Sequence, residues 1–148
     1  RTVLGRRVLL NTTVLVTHFH QEQTYEENLA SLLEKLVEKG LLSTVSRKKL
    51  LAKEADKPAL SDEGFAFPHL TSDQLEQITL VVAEDETLNL ASQTGIAVKD
   101  FVLLLIPTEL DDFHQDLLYQ IFDNTFRTRQ GHLKKRLGID NIDQLEKI

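Results

Sequence analysis

The stretch "VKDFVLLLI", Val98 to Ile106, constrains the fold more than any other part of the chain. From Phe101 to Ile106 it carries no polar residue on either alternation, so a strand built from it has to be covered on both faces. The run therefore predicts the central strand of a sheet with further layers on either side. Pro107 closes it. At seven residues, Phe101 to Pro107 is the longest apolar run, far below the roughly 18 residues that span a bilayer as a helix. No membrane insertion is expected.

Other segments supply the remaining layers. Val8 to Thr17, "VLLNTTVLVT", is rich in β-branched residues and reads as a strand or hairpin. Thr24 and Glu27 have the spacing of a capping box, and Leu29, Leu32, Leu33, Leu36 and Val37 follow at helical spacing until Gly40. Ser46 to Ala55 is a second helical segment stopped by Pro58, because a residue before proline is pushed out of helical geometry. Phe65 and Phe67 alternate with Ala66 as a short strand with one aromatic face, and Ile78 to Ala83, "ITLVVA", reads as another. After Pro107, "TELDDFHQDLLYQIFDNTF" places Phe113, Leu117, Leu118, Ile121 and Phe122 on one helical face. The tail gives a basic segment, Arg127 to Leu137, and a short helix from Asn141 with Ile142, Leu145 and Ile148 inward. Strands alternating with helices predict an α/β fold with helices on both faces of the sheet.

Length and charge bound the function. A chain of 148 residues suits a single domain, residues 1–148, able to bury a core without staples. Its net charge of −6 argues against direct contact with nucleic acid, which needs a clustered basic excess. Cysteine is absent, which excludes disulfides and thiol nucleophiles and suits the cytoplasm. The chain starts at Arg1 and holds no methionine, so it is expected to be a domain excised from a longer protein.

Five histidines carry the conspicuous chemistry. His18 and His20 lie two apart on a strand-like segment, and without a further cluster at ligand spacing they read as polar strand-end residues, with no metal site expected. His132 sits among Arg129, Lys134, Lys135 and Arg136 on what reads as a solvated basic face. His69 and His114 each sit just beyond a strand-like run, where sites gather in open α/β sheets, so the two could meet.

The segment "KEADKPALSDEGFAFPHL", Lys53 to Leu70, resembles the phosphoacceptor segment of the mannitol/fructose-type enzyme IIA domain of the bacterial phosphotransferase system. In that family an Arg-Glu pair ends a helix, and a Gly-Ile-Ala-Ile/Val-Pro-His strand presents the phosphorylated histidine. Gly64, Ala66, Pro68 and His69 match that strand, and Lys53-Glu54 stands where Arg-Glu would. "VKDFVLLLIPTELDDFHQDLL" resembles the family's later strand and the helix of its second active-site histidine, at His114. The chain departs from the pattern at Lys53, which keeps a charge but loses the planar fork of arginine. Ala59 and Asp62 also stand where threonine and glycine are usual.

The resemblance implies a mixed sheet flanked by helices, with His69 accepting phosphate from the phosphocarrier protein HPr, His114 and Lys53 assisting, and no cofactor or metal. Physically, a neutral imidazole is a competent nucleophile near pH 7. Pro68 is expected to end the sheet pairing and hold the ring at the rim. Three roles remain open. The first is the regulatory IIA-like domain of a sugar-responsive transcription regulator that also carries PTS regulation domains, working with other domains of its parent chain. The second is a transport subunit passing phosphate to an enzyme IIB-like domain, and the third is a chemically silent interaction module.

Overall fold

The computed structural model describes residues 12–85, 87–109, 116 and 145–148. In chain order these residues form β1 (Thr13–Thr17), α1 (Tyr25–Glu38), α2 (Thr44–Asp56), β2 (Phe65–Ala66), β3 (His69–Ser72), β4 (Thr79–Ala83), β5 (Asp100–Pro107) and β6 (Glu146–Lys147). His114, His132, the segment Arg127 to Leu137 and the apolar face from Phe113 to Phe122 lie outside the described residues, as do residues 8–11 of the first expected strand.

The strands form one mixed sheet in the order β2-β5-β4-β1-β6, with β3 also pairing β5. As its sequence predicts, β5 lies inside the sheet. It runs antiparallel to β4 on one side and parallel to β2 and β3 on the other. Phe101 through Ile106 are each no more than 1% exposed. Burial of each leucine in that run contributes about 2–3 kcal/mol relative to an exposed one.

Ladder partners sort the two faces. Leu15, Val81 and Leu103 share one face with Ala83, Phe101 and Leu105, and α1 and α2 pack on it through Leu29, Leu32, Leu33, Leu36 and Leu50. The opposite face, with Val16, Leu80, Val82, Val102, Leu104 and Ile106, is buried as completely. The fold is mixed α/β, as expected.

Helix ends follow local chemistry. At the start of α1 the Glu27 amide donates to Thr24 Oγ1 and the Thr24 amide to Glu27 Oε1, each at 3.1 Å, completing the predicted capping box. Its other end is a Schellman turn, with Leu41 N–H on Leu36 O at 2.9 Å and Gly40 N–H on Val37 O at 3.0 Å, at a Gly40 φ of 76°. The second helix begins two residues before the predicted Ser46, because the Ser43 side chain caps it by accepting from Ser46 N–H at 3.0 Å.

Two expectations need correcting. Pro68 does not end the sheet pairing: β3 starts at the next residue and continues along β5 from His69↔Leu104 to Ser72↔Pro107. A proline is tolerated because this is an edge of the described sheet, where the ladder uses only its carbonyl, which accepts from Leu104 N–H at 3.1 Å. The tail is not helical at Glu146–Lys147, which pair in parallel with Leu15 and Val16. The exposed edge of β1 offers these residues ladder bonds, including Ile148 N–H to Val16 O at 2.9 Å, and Ile148 packs against the core as anticipated. Ion pairs from Lys39 to Glu146 at 2.7 Å and from Lys147 to Glu84 at 2.6 Å flank the added strand.

Gly64 sets the entry to β2. Its φ is 91°, a Cβ there would stand 2.4 Å from Ala97 O, and its carbonyl accepts from both Lys99 N–H and Asp100 N–H. Gly64→Ala is expected to lower stability by at least about 2 kcal/mol in urea unfolding. Gly40→Ala, at positive φ but with nothing within 4 Å of a new Cβ, is expected to cost about 1–2 kcal/mol.

Candidate functional site

The approach to His69 is a tight hairpin. Leu60 bridges Ala66, and Phe67 N–H donates to Ala59 O at 2.7 Å. Ser61 N–H donates to Phe65 O at 2.9 Å. With Gly64 O clamped to the start of β5 and Phe65 N–H donating to Ser61 Oγ at 3.1 Å, the segment from Ala59 to Phe67 is fixed mostly through its backbone. Its base is held from below by Glu54, a buried residue of α2 whose Oε2 accepts from Ala59 N–H at 3.1 Å. Tyr25 OH approaches Glu54 Oε1 at 3.5 Å, the outer limit of a hydrogen bond. Burial pushes the Glu54 carboxyl above its ordinary pKa, opposed by the Ala59 amide, Lys53 and Tyr25.

His69 is half-buried at the first position of β3. This differs from the expected place beyond a strand end: β2 does stop before it, but β5 runs on, and His69 pairs with Leu104 in the middle of that strand. Leu70 faces the helix-covered core, so the imidazole lies on the other face of the sheet. There it stacks on the Phe67 ring, with centroids 4.8 Å apart and planes 23° apart.

The tautomer follows from one hydrogen bond. His69 Nδ1 lies 2.8 Å from Phe67 O. A carbonyl oxygen only accepts, so Nδ1 carries the proton and Nε2 holds the lone pair of the neutral ring. Burial lowers the His69 pKa below its ordinary value, with the nearby Lys53 charge adding to the effect and the Phe67 carbonyl opposing it. At neutral pH the ring is therefore neutral, with its lone pair on Nε2.

Lys53 is exposed, and its ammonium donates to the His69 carbonyl oxygen at 3.1 Å. Its position follows from the packing of α2 against β3. Ser46 Oγ lies 3.2 Å from Ser72 Oγ at one end and Lys53 reaches His69 at the other, so helix and strand run antiparallel. Seven helical steps of about 1.5 Å match three strand steps of about 3.3 Å, both close to 10 Å. A lysine at that helical position therefore arrives beside the first residue of β3.

His18 and His20 follow the end of β1, exposed and in edge contact at 5.4 Å. His18 Nδ1 is 3.6 Å from Asp85 and 3.8 Å from Glu84. No group of three or more potential ligands could hold a metal ion among the described residues. The sequence reading missed the roles of Phe67 and Tyr25. The alternation of Phe65, Phe67 and His69 was the available signal for the first, since it puts all three side chains on one face.

No protein-family model matches the chain, and no curated protein matches it by sequence. Solved structures do. The complex of mannitol enzyme IIA with phosphorylated enzyme IIB from Escherichia coli aligns at a TM-score of 0.60 and 14% identity, covering 86% of this chain and 88% of the other. The crystal structure of mannitol IIA from Escherichia coli aligns at 0.57 and 15% identity, covering 80% and 85%. Nitrogen regulatory protein IIA-Ntr from Neisseria meningitidis aligns at 0.53 and 15% identity, covering 92% of this chain and 99% of that one. The chain has the fold of phosphotransferase-system IIA domains.

The pH behaviour of His69 provides a test. Its folded pKa is lowered, so the stability linked to the neutral ring is complete above the unfolded value near 6.5 and is lost as pH falls through the folded value. NMR titration should place the His69 midpoint below 6.5. Lys53→Gln should raise it, because removing a neighbouring positive charge favours the imidazolium.

Proposed function

We propose that this chain is a histidine phosphoacceptor domain of the phosphotransferase system, taking a phosphoryl group from HPr on His69 Nε2. The observation that carries this reading is the hydrogen bond from Nδ1–H to Phe67 O, which leaves the lone pair of a neutral, half-buried imidazole on Nε2. Attack on phosphorus forms the new N–P bond as the donor's N–P bond breaks, the departing donor imidazole keeping that electron pair. Such transfer asks the protein for positioning and charge stabilisation. In this reading Lys53 supplies positive charge beside the acceptor, and His114 donates to the phosphoryl oxygens. The part given to His114 rests on the resemblance of "VKDFVLLLIPTELDDFHQDLL" to the family's later strand and helix.

The use we place first is regulatory: residues 1–148 form one domain of a cytoplasmic, sugar-responsive transcription regulator, reporting sugar supply to other domains of its parent chain. Lys53 supports this, because a point charge in place of a bidentate fork suits a reporter better than a high-flux carrier. A transport subunit handing phosphate to an enzyme IIB-like domain is the second reading. It draws on the likeness to mannitol IIA, whose solved complex holds phosphorylated IIB.

Incubation with enzyme I, HPr and phosphoenolpyruvate should add one acid-labile phosphate, detected by mass spectrometry at neutral and acid pH. His69→Ala should abolish it. His114→Ala should slow labelling about tenfold to a hundredfold, the loss of one hydrogen bond to a charged group. Lys53→Arg should speed it by restoring the fork. A parent chain that stays unlabelled beside competent HPr leaves the silent interaction module standing, and labelling that survives His69→Ala moves the acceptor elsewhere.

A further inference from the structure

Glu54 is the only buried carboxylate among the described residues, 8% exposed in the last turn of α2. Taking a carboxylate out of water is costly unless hydrogen-bond donors meet it. Tyr25 OH stands at the outer limit, 3.5 Å, whereas Ala59 N–H donates to Oε2 at 3.1 Å. Burial pushes the carboxyl above its ordinary pKa, and the Ala59 amide is foremost among the influences that oppose it. The contact falls where the chain changes direction. No glycine turn of the kind that closes α1 ends α2: Lys57 leaves helical geometry at φ −141° and ψ 86°, and Pro58 follows with no N–H to anchor the exit. Ala59 N–H is the next amide along the chain, and Glu54 holds it.

From Ala59 the hold continues to the acceptor. Ala59 O receives Phe67 N–H at 2.7 Å and Phe67 O receives His69 Nδ1–H at 2.8 Å, so three successive hydrogen bonds run from the Glu54 carboxylate to the imidazole. The preceding residue, Lys53, reaches the His69 carbonyl directly at 3.1 Å. Two adjacent residues of one helical turn therefore address the same histidine, Lys53 its main chain and Glu54, through the hairpin, its ring.

We propose that Glu54 is a positioning residue for phosphoryl transfer: by accepting from Ala59 N–H it fixes the hairpin on the end of α2, and so sets where the His69 ring stands relative to the Lys53 cation. The proposal deepens the phosphoacceptor reading and rests on it for its purpose. It requires no exclusive hold on the ring, only that the hairpin shifts when Glu54 lets go. What counts is an oxygen acceptor at the right reach. Glu54→Gln keeps one such oxygen and turns its NH2 toward the Tyr25 hydroxyl, which can accept. Glu54→Met keeps the volume and loses the acceptor, and Glu54→Asp keeps the charge but is one methylene short.

The experiment compares these variants of the full chain by amide hydrogen exchange, by NMR of the His69 ring and by transfer from HPr. Glu54→Met should keep the native circular dichroism spectrum and speed exchange of the Ala59 and Phe67 amides about tenfold or more, the loss of one hydrogen bond to a charged group. It should also shift the His69 ring resonances, which follow any displacement against the Phe67 ring 4.8 Å away. Transfer from HPr should slow about threefold to tenfold with HPr affinity unchanged. Glu54→Asp should behave in the same way, and Glu54→Gln should return exchange, resonances and rate to near the parent's values. A folded Met or Asp variant that keeps the parent's His69 resonances, or a transfer rate within about twofold, overturns the proposal and leaves Glu54 a helix-end residue only. A Gln variant as slow as the Met variant overturns it too, and so does failure of both the Met and Asp variants to fold, which would assign Glu54 to the fold alone. If HPr does not label the parent, the phosphoacceptor reading falls, while exchange and the His69 resonances still decide whether Glu54 places the ring.

Discussion

The bond from Leu104 N–H to Pro68 O is the joint on which the site depends. A proline beside the central strand removes one donor from the edge, and without this acceptor contact the two short strands β2 and β3 would have separate registers. With it, both follow β5: Phe65 sits on Asp100 and His69 on Leu104. The run of side chains from Phe101 to Ile106 is buried on both faces, so the histidine is paired to a strand packed into the core.

Around that joint, backbone groups do most of the positioning. Gly64 O ties the hairpin to Lys99 and Asp100, Ala59 O receives Phe67 N–H, and Phe67 O receives His69 Nδ1–H. Side chains then set the charge. Burial keeps the imidazole neutral, and Lys53, delivered by the antiparallel packing of α2 on β3, adds a cation that resists protonation of the ring. The same burial leaves the ring stacked on Phe67, with centroids 4.8 Å apart.

Features set by neighbouring residues were legible in the sequence. The Thr24–Glu27 box, the turn at Gly40 and the buried character of β5 each depend on a few consecutive residues, and the structure has all three. Features set by distant partners were not. The rule that proline stops a strand weighs its lost N–H but not an edge position where only the carbonyl is used, so β3 was missed. Leu145 and Ile148 fit a helical spacing equally well, and the vacant edge of β1 decided in favour of a strand at Glu146–Lys147. The Pro-His segment pointed to His69. Its tautomer could not be read there, because the deciding acceptor is a main-chain atom. His114, also chosen from sequence, lies outside the described residues.

The central claim is that the backbone of Phe67 decides which nitrogen of His69 reacts. Phosphorylating the chain with its histidines labelled in 15N, and reading one-bond 31P–15N coupling together with the proton on the other ring nitrogen, tests it most directly. The account predicts coupling at Nε2 of His69 with Nδ1 still protonated. Coupling at Nδ1, or at any other histidine, would contradict it.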